Sequence, residues 1–366
     1  MSRQPISVLV TPTKSGGSIC ALLGSLLRCF DGVLPSQIVL VLPDDQDSMV
    51  LQQRLLELSA AGIELAIIRI NEQKPQDAPR WRAMAWAECR YETAVFLEDN
   101  TIVEHGWWQA WRRWAGSDLA TPVASGMVSP DLDRLGWAET GVFYCEYGPF
   151  LPAGDKGITW PLKRVAGNHW AVRRDLMAIS DMPVEIDEHD WVHRFMPRGE
   201  KPDWLLEVEV RSFRSIRLIP AILERGRQGY AFGYSSARKS GWLRRLKMVH
   251  AGAAIVLVQL GRLGGVVLLR RYRMGTFMKT LPVTFLLLKT WSLAEWAGWI
   301  SGTFAGPFER NDQNRAEAAG EKLEKEAAGE GRVIRMDKPH RLAARTTDSP
   351  RRNAVNYAWI IEKEAD

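Results

Sequence analysis

Over about the first hundred positions, apolar residues come in short unbroken runs separated by stretches with helical spacing. Ile6–Val10 is the first run and ends at Thr11-Pro12. Ser15-Gly16-Gly17-Ser18 offers a turn and a helix cap, and Ile19 to Phe30 then carries apolar residues at helical spacing. Ile38–Leu42 is a second buried-type strand that closes on Pro43-Asp44-Asp45. A helix over Met49–Leu58 and a third strand over Ile63–Ile70 follow. A helix across Trp81–Glu88 leads into a fourth strand, Thr93–Leu97, which ends on Glu98-Asp99-Asn100. Continuously apolar strands separated by helices predict a parallel sheet covered on both faces, since a half-exposed strand would alternate instead. Ligands of such sheets bind beyond the carboxyl ends of the strands. Thr11, Asp44, Asp45, Glu98 and Asp99 all fall there, which makes that rim the expected site.

Downstream, Glu104–Ala115 reads as a helix whose Trp107, Trp111 and Trp114 form a stripe better suited to core packing than to a binding surface. Residues 120–209 mix short strands, Gly/Pro turns and two helices, around Val172–Ile179 and Glu188–Phe195. The character then changes. Between Glu224 and Glu295 there is no Asp or Glu, while thirteen Lys or Arg run from Arg225 to Lys289. Two apolar stretches, Met248–Leu269 and Leu281–Ala305, lie among them. Each is long enough to span a bilayer, which takes about 20 residues. Arg262 and Gln259 interrupt the first, however, and Lys289 and Glu295 the second. A charge at mid-membrane costs at least ~2.5 kcal/mol. In-plane or re-entrant helices are therefore favoured over clean spans, with basic flanks facing anionic lipid. Core helices of a soluble protein are the alternative. Beyond Pro307 the chain turns polar and is expected to be largely disordered. The expected division is thus 1–230, 231–307 and 308–366.

Composition adds little to this pattern. A hydrophobic content of 46%, a charged content of 25% and a net charge of +5 are ordinary for a folded protein, so only the uneven placement of charge is informative. The opening MSRQPISVLVTPT shows no secretory signal pattern. Cys20, Cys29, Cys89 and Cys145 lack metal or disulfide spacing, which fits free thiols in a reduced cytoplasmic setting. The sixteen tryptophans suit core packing, sugar stacking or an interfacial belt, and composition does not choose among these.

The acidic turn Glu98-Asp99-Asn100 carries the strongest chemical signal. Carboxylates directly after a buried strand must be exposed or paired, and they suit a divalent cation bridging a diphosphate. A helix-capping acidic turn is the plainer reading. Taken whole, Ile6 to about Gly306 resembles the inverting family 2 glycosyltransferases of the GT-A fold, and most closely the bacterial members with Glu-Asp-His where this chain has Glu98-Asp99-Asn100. The resemblance is carried in order by Ile6–Thr11-Pro12, Asp44-Asp45, Arg82 and Phe96-Leu97-Glu98-Asp99 with Gly106-Trp107. It continues through Tyr147-Gly148-Pro149-Phe150, Val165-Ala166-Gly167-Asn168-His169, Glu185–Gly199, Glu224-Arg225-Gly226-Arg227 with Tyr230, and Trp291 to Gly302.

The resemblance implies a mixed, mainly parallel α/β sheet of GT-A type flanked by helices and followed by apolar membrane-associated helices. It implies a UDP- or GDP-type sugar donor, a lipid-linked or glycan acceptor, and inversion at the cytoplasmic face of an anionic membrane, with no nucleic acid partner. Thr11, Pro12, Asp44, Asp45, Arg82, Glu98 and Asp99 would bind the donor, with Asp99 and Glu98 holding Mg²⁺ or Mn²⁺. Asn168 and His169 would line the acceptor side, although a core or turn histidine is an equally plain role. One of Glu188, Asp190 and Asp187 would be the base, where a solvated acidic helix face is the alternative. The chain departs from the family pattern at Ala83, at Asn100, and at Arg211 or Ser212 in place of a metal-contacting His. Arg211 could neutralise the diphosphate itself. These departures also motivate a second expectation, a silent glycosyltransferase-like scaffold of a membrane assembly. A basic membrane-surface or nucleic-acid-binding protein using residues 225–289 is a third, and the apolar content between its charges favours lipid.

Overall fold

The computed structural model describes residues 5–13, 19–30, 32–44, 48–70, 78–118, 120–152, 165–176, 186, 192, 196, 200–213, 217–243, 248, 260–261, 263–265, 267–268, 273–304, 332–336 and 360–363. Its strands are β1 (Ile6–Thr11), β2 (Gln37–Pro43), β3 (Glu64–Ile70), β4 (Thr93–Glu98), β5 (Thr101–Val103), β6 (Val123–Pro130), β7 (His169–Arg173), β8 (Asp203–Ser212), β9 (Arg332–Met336) and β10 (Ile360–Lys363). Its helices are α1 (Ile19–Cys29), α2 (Met49–Ala60), α3 (Ala78–Ala87), α4 (Trp107–Ala115), α5 (Trp137–Tyr147), α6 (Leu218–Lys239) and α7 (Met274–Phe304). The strands form one mixed sheet in the order β10-β9-β3-β2-β1-β4-β7-β6-β8-β5.

The run β3-β2-β1-β4 is parallel throughout. Every residue of β1 and β2 is buried, as expected for strands covered on both faces. Leu9, Val39, Val41, Ala66, Ile68, Ala94 and Phe96 face Trp81 and Trp86 of α3. On β7, Trp170 stacks on Phe96 at 4.4 Å, with Trp86 beyond it. The neighbouring His169 meets the α4 indoles instead. Trp107, Trp111 and Trp114 are buried, so the tryptophan stripe of α4 is core.

The helix expected over Val172–Ile179 is corrected. His169–Arg173 is a strand paired antiparallel with β4 from Leu97↔His169 to Thr93↔Arg173, followed by a short 3-10 turn at Arg174–Leu176. The sheet ladder and the Trp170 stack outweigh a weak local helical pattern, because strand formation depends on cross-strand partners. The helix expected over Glu188–Phe195 lies outside the described residues, apart from Val192. In the polar segment after 307, β9 pairs with β3 and β10 with β9, both antiparallel. Those two strands depart from the expectation of a largely disordered tail.

The chain forms two compact units. The first joins residues 1–128, 160–212 and 326–366, and the second joins 129–159 and 213–325. Residue 230 lies inside α6, so that helix runs across the expected boundary at 230. The second unit contains α5, α6 and α7. Val142, Ala221, Val283 and Leu287 pack together there, and Arg225 pairs with Glu146 at 3.0 Å. Among the described residues, no helix is long and apolar enough to cross a membrane. α7 covers most of the expected apolar stretch Leu281–Ala305, while most of Met248–Leu269 lies outside the described residues.

Candidate active site

β1 and β4 are neighbours whose onward connections leave in opposite directions, toward β2 on one side and β5 on the other. Such a switch point opens a crevice at the carboxyl ends of the strands. The register there sets Thr11 beside Glu98. The Asp99 amide donates to the Thr11 carbonyl at 3.0 Å, and the Thr13 amide donates to Asp99 Oδ1 at 2.8 Å. Thr101 Oγ1 closes the turn by donating to the Glu98 carbonyl at 2.6 Å. The acidic turn is thereby fastened to the chain leaving β1.

Arg82 on α3 reaches the same place from below. Its side chain is 6% exposed, and its Nη2 lies 3.3 Å from Glu98 Oε1 and 3.1 Å from the Gly167 carbonyl. Nη1 makes a longer contact, 3.5 Å, with the carbonyl of Ile186. Ile186 is itself held through its amide by the Pro79 carbonyl at 2.8 Å. A guanidinium this buried requires an anionic partner, because removing a charge from water costs several kcal/mol. Glu98 is that partner. The carboxylate expected to hold a metal thus also braces Arg82.

Around this turn lies a set of buried polar groups that no described residue satisfies. Both side-chain amide atoms of Asn100 and of Asn168 lack a hydrogen-bond partner, as do Ser212 Oγ and Thr13 Oγ1. Asn100 and Asn168 are 0% exposed and Ser212 1%. Each is one step from the acidic turn. Asn100 and Thr13 flank Asp99, Asn168 accepts from the Glu98 amide through its backbone carbonyl at 3.3 Å, and Ser212 is registered opposite Thr101. An unmet buried polar group costs ~1–3 kcal/mol, so a cluster of them marks a place completed by a bound molecule or water.

Thr11, Pro12, Arg82, Glu98, Asp99 and Asn168 are thus brought together. Asp44 stands exposed at the end of β2, its amide donating to the Ile70 carbonyl at 3.1 Å. Asp45, Asp187, Glu188 and Asp190 lie outside the described residues. His169 does not join the site. It is fully buried, and its Nε2 accepts from Trp107 Nε1 at 2.8 Å. Burial pushes its pKa down to about 3, against a small opposing contribution from a Met127 backbone hydrogen bond. It is a neutral core histidine, because one step along β7 reverses the face a side chain takes. Arg211 is part-exposed, and its Nε donates to the Glu104 carboxylate. Ser212, on the buried face with Val208 and Val210, is the residue β8 turns toward the rim. Sequence reasoning did not put forward Thr13, and it named Asn100 and Ser212 only as departures from the family pattern. The alternation Val208, Val210, Ser212 was the available signal for the last.

Among the described residues no group of three His, Cys, Asp or Glu could hold a metal ion. A magnesium-type site needs less, since one or two carboxylates plus substrate phosphates suffice. Asp99 with the unmet amide oxygen of Asn100 fits that smaller donor set.

No family model matches the chain, and no curated protein matches it. Several solved structures are similar to it. The Pyrobaculum calidifontis mannosyltransferase PcManGT, in complex with GDP-Man and Mn²⁺, matches at 13% identity and a TM-score of 0.44, over 83% of this chain and 88% of that one. S. aureus TarS 1-349 matches at 13% identity and a TM-score of 0.40, over 78% and 90%. GalNAc-T7 with UDP, GalNAc and Mn²⁺ matches at 12% identity and a TM-score of 0.40 over 57% of this chain, which spans only 43% of that structure's chain. At such scores none of them decides the chemistry of this chain.

Proposed function

We propose that this chain is a glycosyltransferase. It moves a sugar from a UDP- or GDP-type donor to a hydroxyl of a lipid-linked or glycan acceptor, with inversion, at the cytoplasmic face of an anionic membrane. The observation that carries the reading is the cluster of unmet polar groups at Asn100, Asn168, Ser212 and Thr13 around Asp99 and the Arg82–Glu98 pair. Amide and hydroxyl donors beside a guanidinium suit the oxygens of a diphosphate, whose charge grows as it leaves. In this reading Arg82 is held in place by Glu98, Asp99 and Asn100 hold a Mg²⁺ or Mn²⁺ ion, and Asp44 with Asp45 contacts the base. The cation would act as a Lewis acid toward the departing diphosphate.

One of Glu188, Asp190 and Asp187 takes the proton from the acceptor hydroxyl as its oxygen attacks the anomeric carbon and the diphosphate leaves from the opposite face. The support for this is sequence adjacency, since the three follow directly on Ile186, whose carbonyl meets Arg82. Base catalysis of this kind contributes about 10²–10⁴-fold. Asn168, expected on the acceptor side, joins the diphosphate cluster in this reading, and His169 takes no part.

The test is calorimetry with UDP, GDP and their sugars, with Mn²⁺ and with chelator, followed by transfer or hydrolysis assays on wild type and Asp99→Ala. Micromolar to millimolar nucleotide binding that weakens at least about tenfold in Asp99→Ala is expected. Failure of every nucleotide to bind would end the reading. Donor binding without turnover under any acceptor would leave the scaffold alternative in its place.

A further inference from the structure

The long helices of the second unit leave large apolar side chains exposed on their outer side. On α7 the exposed large side chains are Met278, Phe285, Leu286, Leu293 and Trp296, from 38% to 56% exposed. The buried side of the same helix holds Phe277, Val283, Leu287 and Trp299 together with Thr280, Thr284, Ser292 and Glu295. A helix that is apolar on its outer side as well as its packed side has more than one apolar neighbour. The hydroxyls look after themselves. Thr284 donates to the Thr280 carbonyl at 3.1 Å, Thr280 to the Phe277 carbonyl at 3.1 Å, and Thr290 to the Leu286 carbonyl at 2.9 Å. Back-bonding of this kind satisfies a hydroxyl where water is scarce. Glu295 takes the Trp291 indole N–H at 3.0 Å.

α6 continues the pattern, with Ile219, Leu223 and Tyr230 exposed. The two helices run parallel and touch backbone to backbone at glycines. A Cβ on Gly229 would sit 2.5 Å from the Trp291 carbonyl, one on Gly233 2.1 Å from that of Glu295, and one on Gly298 2.3 Å from that of Tyr230. Small residues four apart that let helices meet this closely are the packing device of helices in lipid. Charge supplies the remaining direction. Among the described side chains of this helix pair, the exposed charged ones are Arg227, Lys279 and Lys289, and Glu295 is buried.

We propose that α6 and α7 lie in the interface of an anionic bilayer with α7 along the membrane plane. The face through Phe285, Leu293 and Trp296 enters the acyl boundary; Lys289, on the same face, extends its stem to the anionic headgroups, which Arg227 and Lys279 also meet. The inference rests on the membrane partner proposed above and gives it a contact face. It is independent of the sugar chemistry. α7 has 31 residues, about 46 Å at 1.5 Å per residue, and Lys289 sits midway along it. A spanning orientation would place that ammonium at the bilayer centre, whereas an in-plane one leaves it at the headgroups.

The test uses the purified full chain and flotation on phosphatidylcholine vesicles with and without phosphatidylglycerol. Binding is expected to require the anionic lipid and to fall at least about tenfold in Leu286→Glu/Leu293→Glu. Circular dichroism confirms the fold of the variant, and calorimetry with nucleotide on the same protein separates loss of membrane contact from failure of the donor site. Gly275→Cys and Ser301→Cys, at the two ends of α7, are expected to react alike with an impermeant maleimide added outside sealed vesicles. Labelling of one end alone would overturn the in-plane orientation. Equal flotation of wild type and variant would overturn the contact face. So would a wild-type dimer that floats on no vesicle and that the two glutamates split, since the face would then cover a second copy.

Discussion

His169 gives a prediction whose size follows from its surroundings. The imidazole is fully buried between Trp107 and Trp111, and its Nε2 is occupied as acceptor of the Trp107 indole N–H. Protonation would place a charge in an apolar pocket and turn the acceptor into a donor facing a donor. The native pKa is accordingly pushed from the ordinary 6.5 to about 3. In the unfolded chain the ring takes up a proton near pH 6.5, whereas in the native state it does not until about pH 3. Between those values the unfolded state binds one more proton, so stability rises with pH there. The contribution is complete above pH 6.5 and is lost as pH falls through the window, at about 1.4 kcal/mol per unit.

From about pH 6.5 to 4.5 the loss is roughly 2.7 kcal/mol, a large share of a typical folding free energy of about 5–15 kcal/mol. The perturbation that isolates it is His169→Gln, since the glutamine carbonyl can accept from Trp107 and does not titrate. Urea unfolding followed by tryptophan fluorescence, at steps between about pH 7.5 and 4.5, gives the two stability curves. All other titrating groups are common to both proteins, so the difference between the curves reports His169 alone. That difference is expected to move in favour of the variant by about 1.4 kcal/mol per unit on acidification. Parallel curves would refute the buried neutral histidine, and with it the exclusion of His169 from the site.

Three further outcomes are expected. Arg82→Met leaves Glu98 without its cation in a site where the carboxylate is only 16% exposed, and stability in urea should fall by about 3–5 kcal/mol, with part recovered in Arg82→Met/Glu98→Gln. Gly298→Ala drives a methyl against the Tyr230 carbonyl at 2.3 Å and the Tyr234 amide nitrogen at 2.7 Å, both backbone, and should lower the melting temperature through a loss of about 1–3 kcal/mol. Asn168→Leu replaces an unmet buried amide with an apolar group of similar size, so ligand-free stability should rise by about 1 kcal/mol while nucleotide affinity in calorimetry falls.

The four parallel strands and the acidic turn were legible because their signals are local. Continuous apolar runs such as Ile38–Leu42 have few other uses, and polar residues at their ends declare the rim. Legibility fails where parity matters. Asn168 and His169 looked equally suited to the acceptor side, yet one faces the turn and the other the α4 indoles, because the register Leu97↔His169 is set by pairing with a strand seventy residues away. Arg211 and Ser212 divide in the same way on β8. A one-residue step inverts every side chain of a strand, and no local pattern in His-Trp-Ala-Val-Arg says which step is taken. The expected boundary at 230 falls inside a helix, since a change of charge does not end one. Leu218–Lys239 continues through it because its contacts with α7, at Gly229 and Gly233, extend past that point.

The two units break the ordinary rules of folding in opposite directions. The sheet unit buries amides and hydroxyls without partners at Asn100, Asn168 and Ser212, where an apolar side chain would be more stable. The helical unit exposes Phe285, Leu293 and Trp296, and buries Thr284, Ser292 and Glu295 among apolar side chains such as Leu287 and Trp299. Departures of this kind concentrate at functional sites, because a sequence otherwise tends to agree with its fold at every level. Each departure also specifies what completes it. Unmet hydrogen-bonding groups beside a guanidinium call for a polar, anionic ligand, and an apolar face with lysines calls for a surface that is both oily and anionic. A water-soluble nucleotide sugar and an acceptor borne on lipid divide along the same line of polarity. Under the proposed function, that correspondence would join the sugar chemistry to the proposed membrane contact.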